Sequence, residues 1–377
     1  MGSKRKRVVN KEPIRNAFTK ALSASSKSFS LNLFQKCLET SRGANVFVSP
    51  LSVALALALA AKGAREGSIV AGAFDNVIQC GPSADDAFAL LEDMKDGNGG
   101  VILGNSIWVK RIREEYMAAL ANVGVVCGNL DNVDKINAWA RTVTRGVIDC
   151  VVHGPVGAET TAMLVNVVYF KASWAKVFQS DRTHASTFNG SVPCRMMCKT
   201  EKVSFVRNET YSAVSIKYAT AGYRAVFVLP NKHGHEALNA LLSRDSFSNV
   251  VKALKTKEKQ EVDISMPRFK IETSLEMTGS LSSLGLGVAF DKNVAPESFT
   301  PIGEDVYIGN VVQKVVVIVN EEGTEAAAMT ALHFYKRGKQ PPPKPCIVLD
   351  RSFGMMIEDT RRNLVLFAGS VVSPTFD

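Results

Sequence analysis

Long hydrophobic runs are missing from this chain. The richest, Leu51 to Ala61, holds eleven apolar or small residues. That is too short to span a bilayer and reads as a buried helix. No leader is visible either, because the apolar stretch around Ala21-Leu22 is short and interrupted. A cytoplasmic or nucleocytoplasmic location is therefore expected if the chain is complete, and an extracellular one if a leader has been removed. Histidine occurs five times and cysteine seven times. Cys37, Cys80, Cys127, Cys150, Cys194, Cys198 and Cys346 are odd in number and scattered, which speaks for free thiols in a reducing compartment. The glycosylation patterns at Asn189-Gly190-Ser191 and Asn208-Glu209-Thr210 matter only if the protein is secreted.

Enzyme signatures are also missing. There is no Gly-x-Ser-x-Gly elbow, no His-Glu-x-x-His and no phosphate-binding Walker loop. Gly97-Asn98-Gly99-Gly100 lacks dinucleotide-site spacing and follows an acidic helical stretch. His233-Gly234-His235 and Cys194-x-x-x-Cys198 each offer two metal ligands with no second pair nearby. No metal, no cofactor and no enzymatic activity are expected.

What remains is an ordinary globular composition: 377 residues, 46% hydrophobic, 21% charged, 8% aromatic. The net charge of +9 is scattered, except for Lys4-Arg5-Lys6-Arg7. That cluster reads either as a solvated, flexible terminus over residues 1–13 or as a nuclear-import or nucleic-acid contact; the first reading is preferred. A nucleic-acid partner and a membrane partner are not expected.

The pattern along the chain is α+β. Phe18, Ala21 and Leu22 continue a helical spacing begun at Ile14, and Phe29–Leu38 is a second helix. Ser49-Pro50 is a helix start, with serine as cap and proline in the first turn, and the helix stops at Gly63. It is apolar nearly all round and should be central. Ala84–Met94 and Asp131–Thr144 are further helices, the second with Ile136, Trp139 and Ala140 inward. Strands are expected at Val101–Lys110, Thr161–Phe170, Val262–Met266, Val315–Val319, Cys346–Leu349, Phe353–Ile357 and Leu364–Val372. Tyr211–Lys217 and Tyr223–Leu229 form a hairpin, and Glu236–Leu254 reads as one helix. Helices early and strands late, without alternation, exclude a doubly wound fold.

One segment stands apart. A buried strand, Val315–Val319, meets the polar turn Asn320-Glu321-Glu322-Gly323. After it, with a period of two, Thr324, Ala326, Ala328, Thr330, Leu332 and Phe334 share one face. Glu325, Ala327, Met329, Ala331, His333 and Tyr335 share the other. The first face starts small and suits a packed sheet interior, yet the alanine-rich start also favours helix. Lys336-Arg337-Gly338-Lys339 is a basic site for a trypsin-like protease, and Pro341-Pro342-Pro343-Lys344-Pro345 behind it is extended and stiff.

Asn320-Glu321-Glu322-Gly323-Thr324-Glu325-Ala326-Ala327-Ala328 resembles the hinge of inhibitory serpins. Further stretches resemble serpin motifs in the expected order: Phe47-Val48-Ser49-Pro50-Leu51-Ser52, Ile136-Asn137-x-Trp139, Thr144-x-Gly146-x-Ile148, Asn166-x-x-Tyr169-Phe170-Lys171-x-x-Trp174 with Phe178, Met266-Pro267-Arg268-Phe269, and Leu366-Phe367-Ala368-Gly369. The resemblance implies a serpin fold over residues 14–377, with three β-sheets, eight or nine helices and an exposed reactive-centre loop over about residues 321–345. It implies a monomer that is cut by a protease and then inserts the hinge Glu321, Glu322, Gly323, Thr324, Glu325, Ala326, Ala327, Ala328, Met329 and Thr330 as a strand, trapping the acyl-enzyme. Counting sixteen positions from Glu321 puts the reactive bond at Arg337-Gly338, with Lys336 as the alternative residue. The implied partner is a trypsin-like serine protease, with a papain-like cysteine protease as a second target. The resemblance places Ser49, Ser52, Asn166, Trp174 and Gln313 in the shutter and breach that open for the loop. Two positions depart from the family pattern: Gln313 stands where a histidine is usual, and Ser352 where a proline is usual before Phe353. The loop's exit is also a few residues longer than usual. The alternatives are a non-inhibitory serpin (chaperone, carrier or storage protein) and a nuclear or chromatin-binding serpin acting through Lys4–Arg7.

Overall fold

A computed structural model describes residues 16–25, 27–41, 43–81, 84–95, 100–122, 125–324 and 344–375. The basic cluster Lys4–Arg7 and residues 325–343, including the hinge and reactive-bond positions Glu325, Ala326, Ala327, Ala328, Met329, Thr330, Lys336, Arg337 and Gly338, lie outside the described residues. Five helices open the chain: α1 (Ala17–Ala21), α2 (Phe29–Thr40), α3 (Pro50–Lys62), α4 (Ile69–Ile78) and α5 (Asp85–Lys95). They are followed by α6 (Glu114–Ala121), α7 (Val133–Val143), α8 (His235–Leu242) and α9 (Arg244–Thr256). Among the described residues, α2 to α9 are the helices of eight or more residues, in line with the eight or nine expected. Among the described residues the strands fall into three sheets, as expected.

The largest sheet runs β1 (Val46–Val48), β16 (Leu364–Val371), β15 (Phe353–Asp359), β9 (Tyr223–Pro230), β8 (Tyr211–Lys217), β7 (Val192–Arg207), β10 (Lys259–Pro267), β14 (Cys346–Val348), with β6 (His184–Phe188) on β7. The second sheet has five strands among the described residues. Its order is β11 (Phe269–Glu276), β12 (Ile308–Val319), β4 (Ala162–Phe170), β2 (Val101–Val109), β3 (Val126–Asn129). The third pairs only β5 (Ala172–Ser173) with β13 (Gly323–Thr324).

Two cores sandwich the second sheet, which explains why β4 is buried at all nine positions rather than at alternate ones. Ala162, Leu164, Val168 and Phe170 face the main core and α3; Met163, Val165, Val167 and Tyr169 face a smaller core under α7, with Ile136 and Ala140. Helix α3 is buried along its length because β2, β4 and β16 all pack on it.

One local feature differs from the sequence expectation, and two others gain a physical reason. Gly63 does end α3, but with φ −92° and not in the left-handed region. Glycine is required there by a close approach: a Cβ would sit 2.2 Å from Ile302 Cγ1 and 2.9 Å from Tyr116 Cε2. Residues 236–254 form two helices, broken where Ser243 is extended (φ −54°, ψ 147°). The break lets α8, with Leu238, Leu241 and Leu242 buried, pack on β9 and β15, while α9 packs on β7, β8 and α2, where Phe247 meets Phe34. Ser352, where the family has proline, donates its backbone N–H to Asn189 Oδ1 at 3.2 Å, a bond proline cannot make. Asn189 also donates to the Val372 carbonyl at 3.0 Å, so this side chain of a glycosylation pattern is already engaged.

The Gly63 contact yields a prediction. Gly63→Ala should destabilise the fold by about 1–3 kcal/mol through overpacking at Ile302. A denaturation midpoint equal to wild type would show that Ile302 moves aside freely.

Candidate functional site

At the centre of the second sheet, between two antiparallel pairings, β12 and β4 pair in parallel, with Val312 opposite Val165, Gln313 opposite Asn166 and Val317 opposite Phe170. This parallel pair is the seam of the sheet. A polar cluster closes it from the α3 side. Ser49 caps α3, its hydroxyl accepting from Ser52 N–H at 3.4 Å, so the first turn of the helix points two serines at the seam. Gln313 accepts from Ser49 N–H at 2.9 Å and donates to Ser49 C=O at 3.1 Å, clasping both backbone groups with one carboxamide. It also donates to Asn166 Oδ1 at 2.5 Å. Asn166 donates in turn to the Ser52 hydroxyl and to Asn105 Oδ1 on β2.

Four of the predicted residues (Ser49, Ser52, Asn166 and Gln313) thus converge in one network, each at most 1% exposed. Asn105 belongs to it and was missed; a single polar residue inside a strand gives no sequence signal of its partner. Glutamine performs a two-sided clasp without a titratable ring, so the Gln313 position keeps its bonds but loses any response to pH near neutrality.

Trp174 lies apart from this network, at the end of the seam from which β13 departs. Its indole N–H donates to Asn320 C=O at 3.0 Å and its backbone N–H to Glu322 C=O at 2.8 Å. Phe178 N–H donates to Glu321 C=O at 2.7 Å. The turn is closed internally by Asn320 Oδ1, which accepts from Glu322 and Gly323 N–H, each at 3.1 Å. Gly323, at φ +150°, has no room for a Cβ: Ala172 O would lie at 2.3 Å and Ser173 Cα at 2.5 Å. The Glu321 carboxylate accepts from the Thr183 hydroxyl at 2.7 Å and faces Arg268 at 3.5 Å. Arg268 lay in a recognised motif, but its partner emerges only in three dimensions.

Below the turn, Trp174 stacks on Tyr218 (4.5 Å between centroids, 11° between planes) and meets Phe178 edge-on. The Lys199 ammonium, on a residue 3% exposed, lies 4.3 Å from the Phe178 centroid and 5.5 Å from that of Trp174. It pairs with Glu201 at 2.7 Å. Burial lowers its pKa to about 8 despite that carboxylate. Nothing in the sequence marked Lys199.

The model of the family described as serpin (serine protease inhibitor) matches residues 24–374. The chain belongs to the serpin family. An uncharacterized serpin-like protein of Thermococcus kodakarensis is 30% identical, over 92% of this chain and 84% of that one. A serine protease inhibitor of Cyanea capillata is 28% identical, over 93% and 98%. Human thyroxine-binding globulin, solved with its hormone, shares the fold at TM-score 0.82 and 23% identity, over 96% of this serpin and all of that chain. No helix among the described residues is long and apolar enough to cross a membrane.

Removing the clasp should be costly. Gln313→Leu would strand the Ser49 N–H and an Asn166 acceptor in a buried site, at about 1–3 kcal/mol for each lost partner. The expected result is a lower denaturation midpoint for Gln313→Leu than for Gln313→Glu at low pH, where the protonated carboxyl can donate again. Equal midpoints would place no weight on the clasp.

Proposed function

We propose that this serpin is a suicide-substrate inhibitor of trypsin-like serine proteases, cut between Arg337 and Gly338. The observation that carries the reading is the parallel seam with a strand start already set beside it. β13 pairs antiparallel with β5, Gly323 opposite Ser173 and Thr324 opposite Ala172. Continuing that register along β4 puts residue 326 opposite Phe170, 328 opposite Val168 and 330 opposite Asn166. Those partners face the α3 core, so the small even-numbered face would turn toward it; Ala327 and Met329 would face the smaller core under α7, and Glu325, opposite exposed Lys171, would stay at the surface. A strand entering there would exchange one parallel ladder for two antiparallel ones, which pair slightly better per residue.

The chemistry belongs to the protease. Its serine attacks the Arg337 carbonyl, the Gly338 amine leaves, and an ester joins the protease to the new end of the loop. Arg337 fits an acidic pocket floor; Lys336 is the alternative if the register differs by one, and a papain-like cysteine protease would form the analogous thioester. Insertion of the hinge then competes with hydrolysis of that ester. The carrier reading, for which thyroxine-binding globulin is the example, requires no insertion. The small residues at Thr324, Ala326, Ala327 and Ala328 favour inhibition.

Incubation with trypsin should give an SDS-stable complex and release a peptide beginning at Gly338. Thr324→Arg and Ala326→Arg would each force a charge into the core face, at a cost of several kcal/mol. Both should remain substrates cut after Arg337 while consuming many more inhibitor molecules per protease inactivated; Glu325→Arg should change little. Equal stoichiometry in all three variants rules out insertion by this register. Nicking the loop within residues 326–337 should also raise the melting temperature, on the order of tens of degrees, since the intact form is kinetically trapped. Nicked and intact protein melting together would favour the carrier.

A further inference from the structure

The segment from Trp174 to Phe178 forms a shelf whose N–H groups carry the hinge turn, and two lysines lock that shelf to β7 reciprocally. Lys199 of β7 donates to the Lys176 carbonyl, in the middle of the shelf, at 2.7 Å. Lys176 donates back to the Thr200 carbonyl of β7, also at 2.7 Å. The two differ in surroundings: Lys176 is exposed, whereas Lys199 is enclosed by Phe178, Trp174 and Glu201. A buried ammonium is expensive unless its donors are used, and here one serves the carboxylate and one the shelf backbone.

We propose that Lys199 is a positioning residue for loop insertion: its charged clasp holds the Trp174–Phe178 shelf so that Asn320, Glu321 and Glu322 stay in register and Thr324 meets the end of the seam. The proposal rests on the inhibitory reading for its effect on trapping, but not for its effect on the shelf. Three hinge carbonyls, those of Asn320, Glu321 and Glu322, accept from residues that touch the Lys199 ammonium. The Lys199 side chain joins the ring faces, the shelf backbone and β7 at one atom. A looser shelf slows the first rung of insertion, and water then gains in the competition for the acyl-enzyme.

The clasp also has a pH range. The charged groups around it are Glu201 on β7, Lys176 on the shelf, and the Glu321–Arg268 pair at the hinge. His184, on β6, sits with Cys198 on the opposite face of β7. Burial lowers the folded pKa of Lys199 to about 8 from 10.5, so the folded state gives up this proton first as pH rises. Global stability therefore rises between those values, because the unfolded chain binds more protons there. Over the same range the positioning charge is lost.

The test compares Lys199→Met, which keeps the volume, and Lys199→Arg, which keeps the charge, with wild type. At pH 7, Lys199→Met should consume several-fold more inhibitor per trypsin inactivated, with the association rate unchanged. At pH 9 that quotient should approach one, because wild type has lost the ammonium; Lys199→Arg should show no such change. Taking the quotient at each pH removes the titration of trypsin itself. Independently of any protease, amide exchange over residues 174–178 and 320–323 should quicken several-fold in Lys199→Met, while β16 is unaffected. Unchanged exchange there overturns the proposal, as does a stoichiometry equal to wild type at pH 7. Absence of any wild-type complex with trypsin would remove the inhibitory reading, and exchange alone would then decide the role of Lys199.

Discussion

The parallel pairing of β12 with β4 is the constraint on which the rest of this serpin depends. Both strands are buried between two cores, so every backbone N–H and C=O along the seam must have a partner in whatever state the sheet adopts. The sheet cannot simply open. It can only exchange partners, and the exchange needs a strand of the right length, direction and side-chain size arriving at one end. In the proposed mechanism that strand is the segment directly after β12, whose first two residues, Gly323 and Thr324, pair antiparallel with β5. Under that proposal, opening and supply of the replacement strand are properties of one continuous piece of sequence.

The two polar sites have different duties on that seam. In its middle, Gln313 and Asn166 bond across the gap that insertion would widen, and Ser49 and Ser52 fasten both to α3. At its end, the Trp174–Phe178 shelf holds the turn from which the loop departs. In the proposed insertion the middle would resist and the end would guide. That division accounts for the residue types: amides and hydroxyls, which exchange partners at modest cost, in the middle; rings and an enclosed ammonium, which are stiff, at the end.

Much of the architecture was legible because the local signals were strong. Ser49-Pro50 marks its helix start through capping chemistry that needs no tertiary help. β4 and the Tyr211–Pro230 hairpin announce themselves by β-branched and aromatic runs. Less was legible where one element serves two environments. β7 is a single strand of sixteen residues, but its first part pairs with β6 and its second with β8. Met196 and Met197 are both buried while Val203 and Phe205 alternate. No single period runs through it. The unbroken helix expected over 236–254 failed for a related reason: its apolar residues serve two faces, and the break at Ser243 follows from what they pack against.

By itself the sequence determined the class of fold, the order of its motifs, the hinge composition and the basic stretch Lys336–Lys339, because each rests on contacts within a few residues or on a recurring pattern. Only the tertiary structure decided what Gln313 does in place of histidine, why Ser352 is tolerated in place of proline, why Gly63 must be glycine, and that Lys199 lies under the hinge. Each of these depends on a partner far away in sequence: Ser49 for Gln313, Asn189 for Ser352, Ile302 for Gly63 and the Trp174–Phe178 shelf for Lys199. A side chain's polarity and size can be read from the sequence. Which distant group satisfies it is fixed only when burial removes water as the alternative partner.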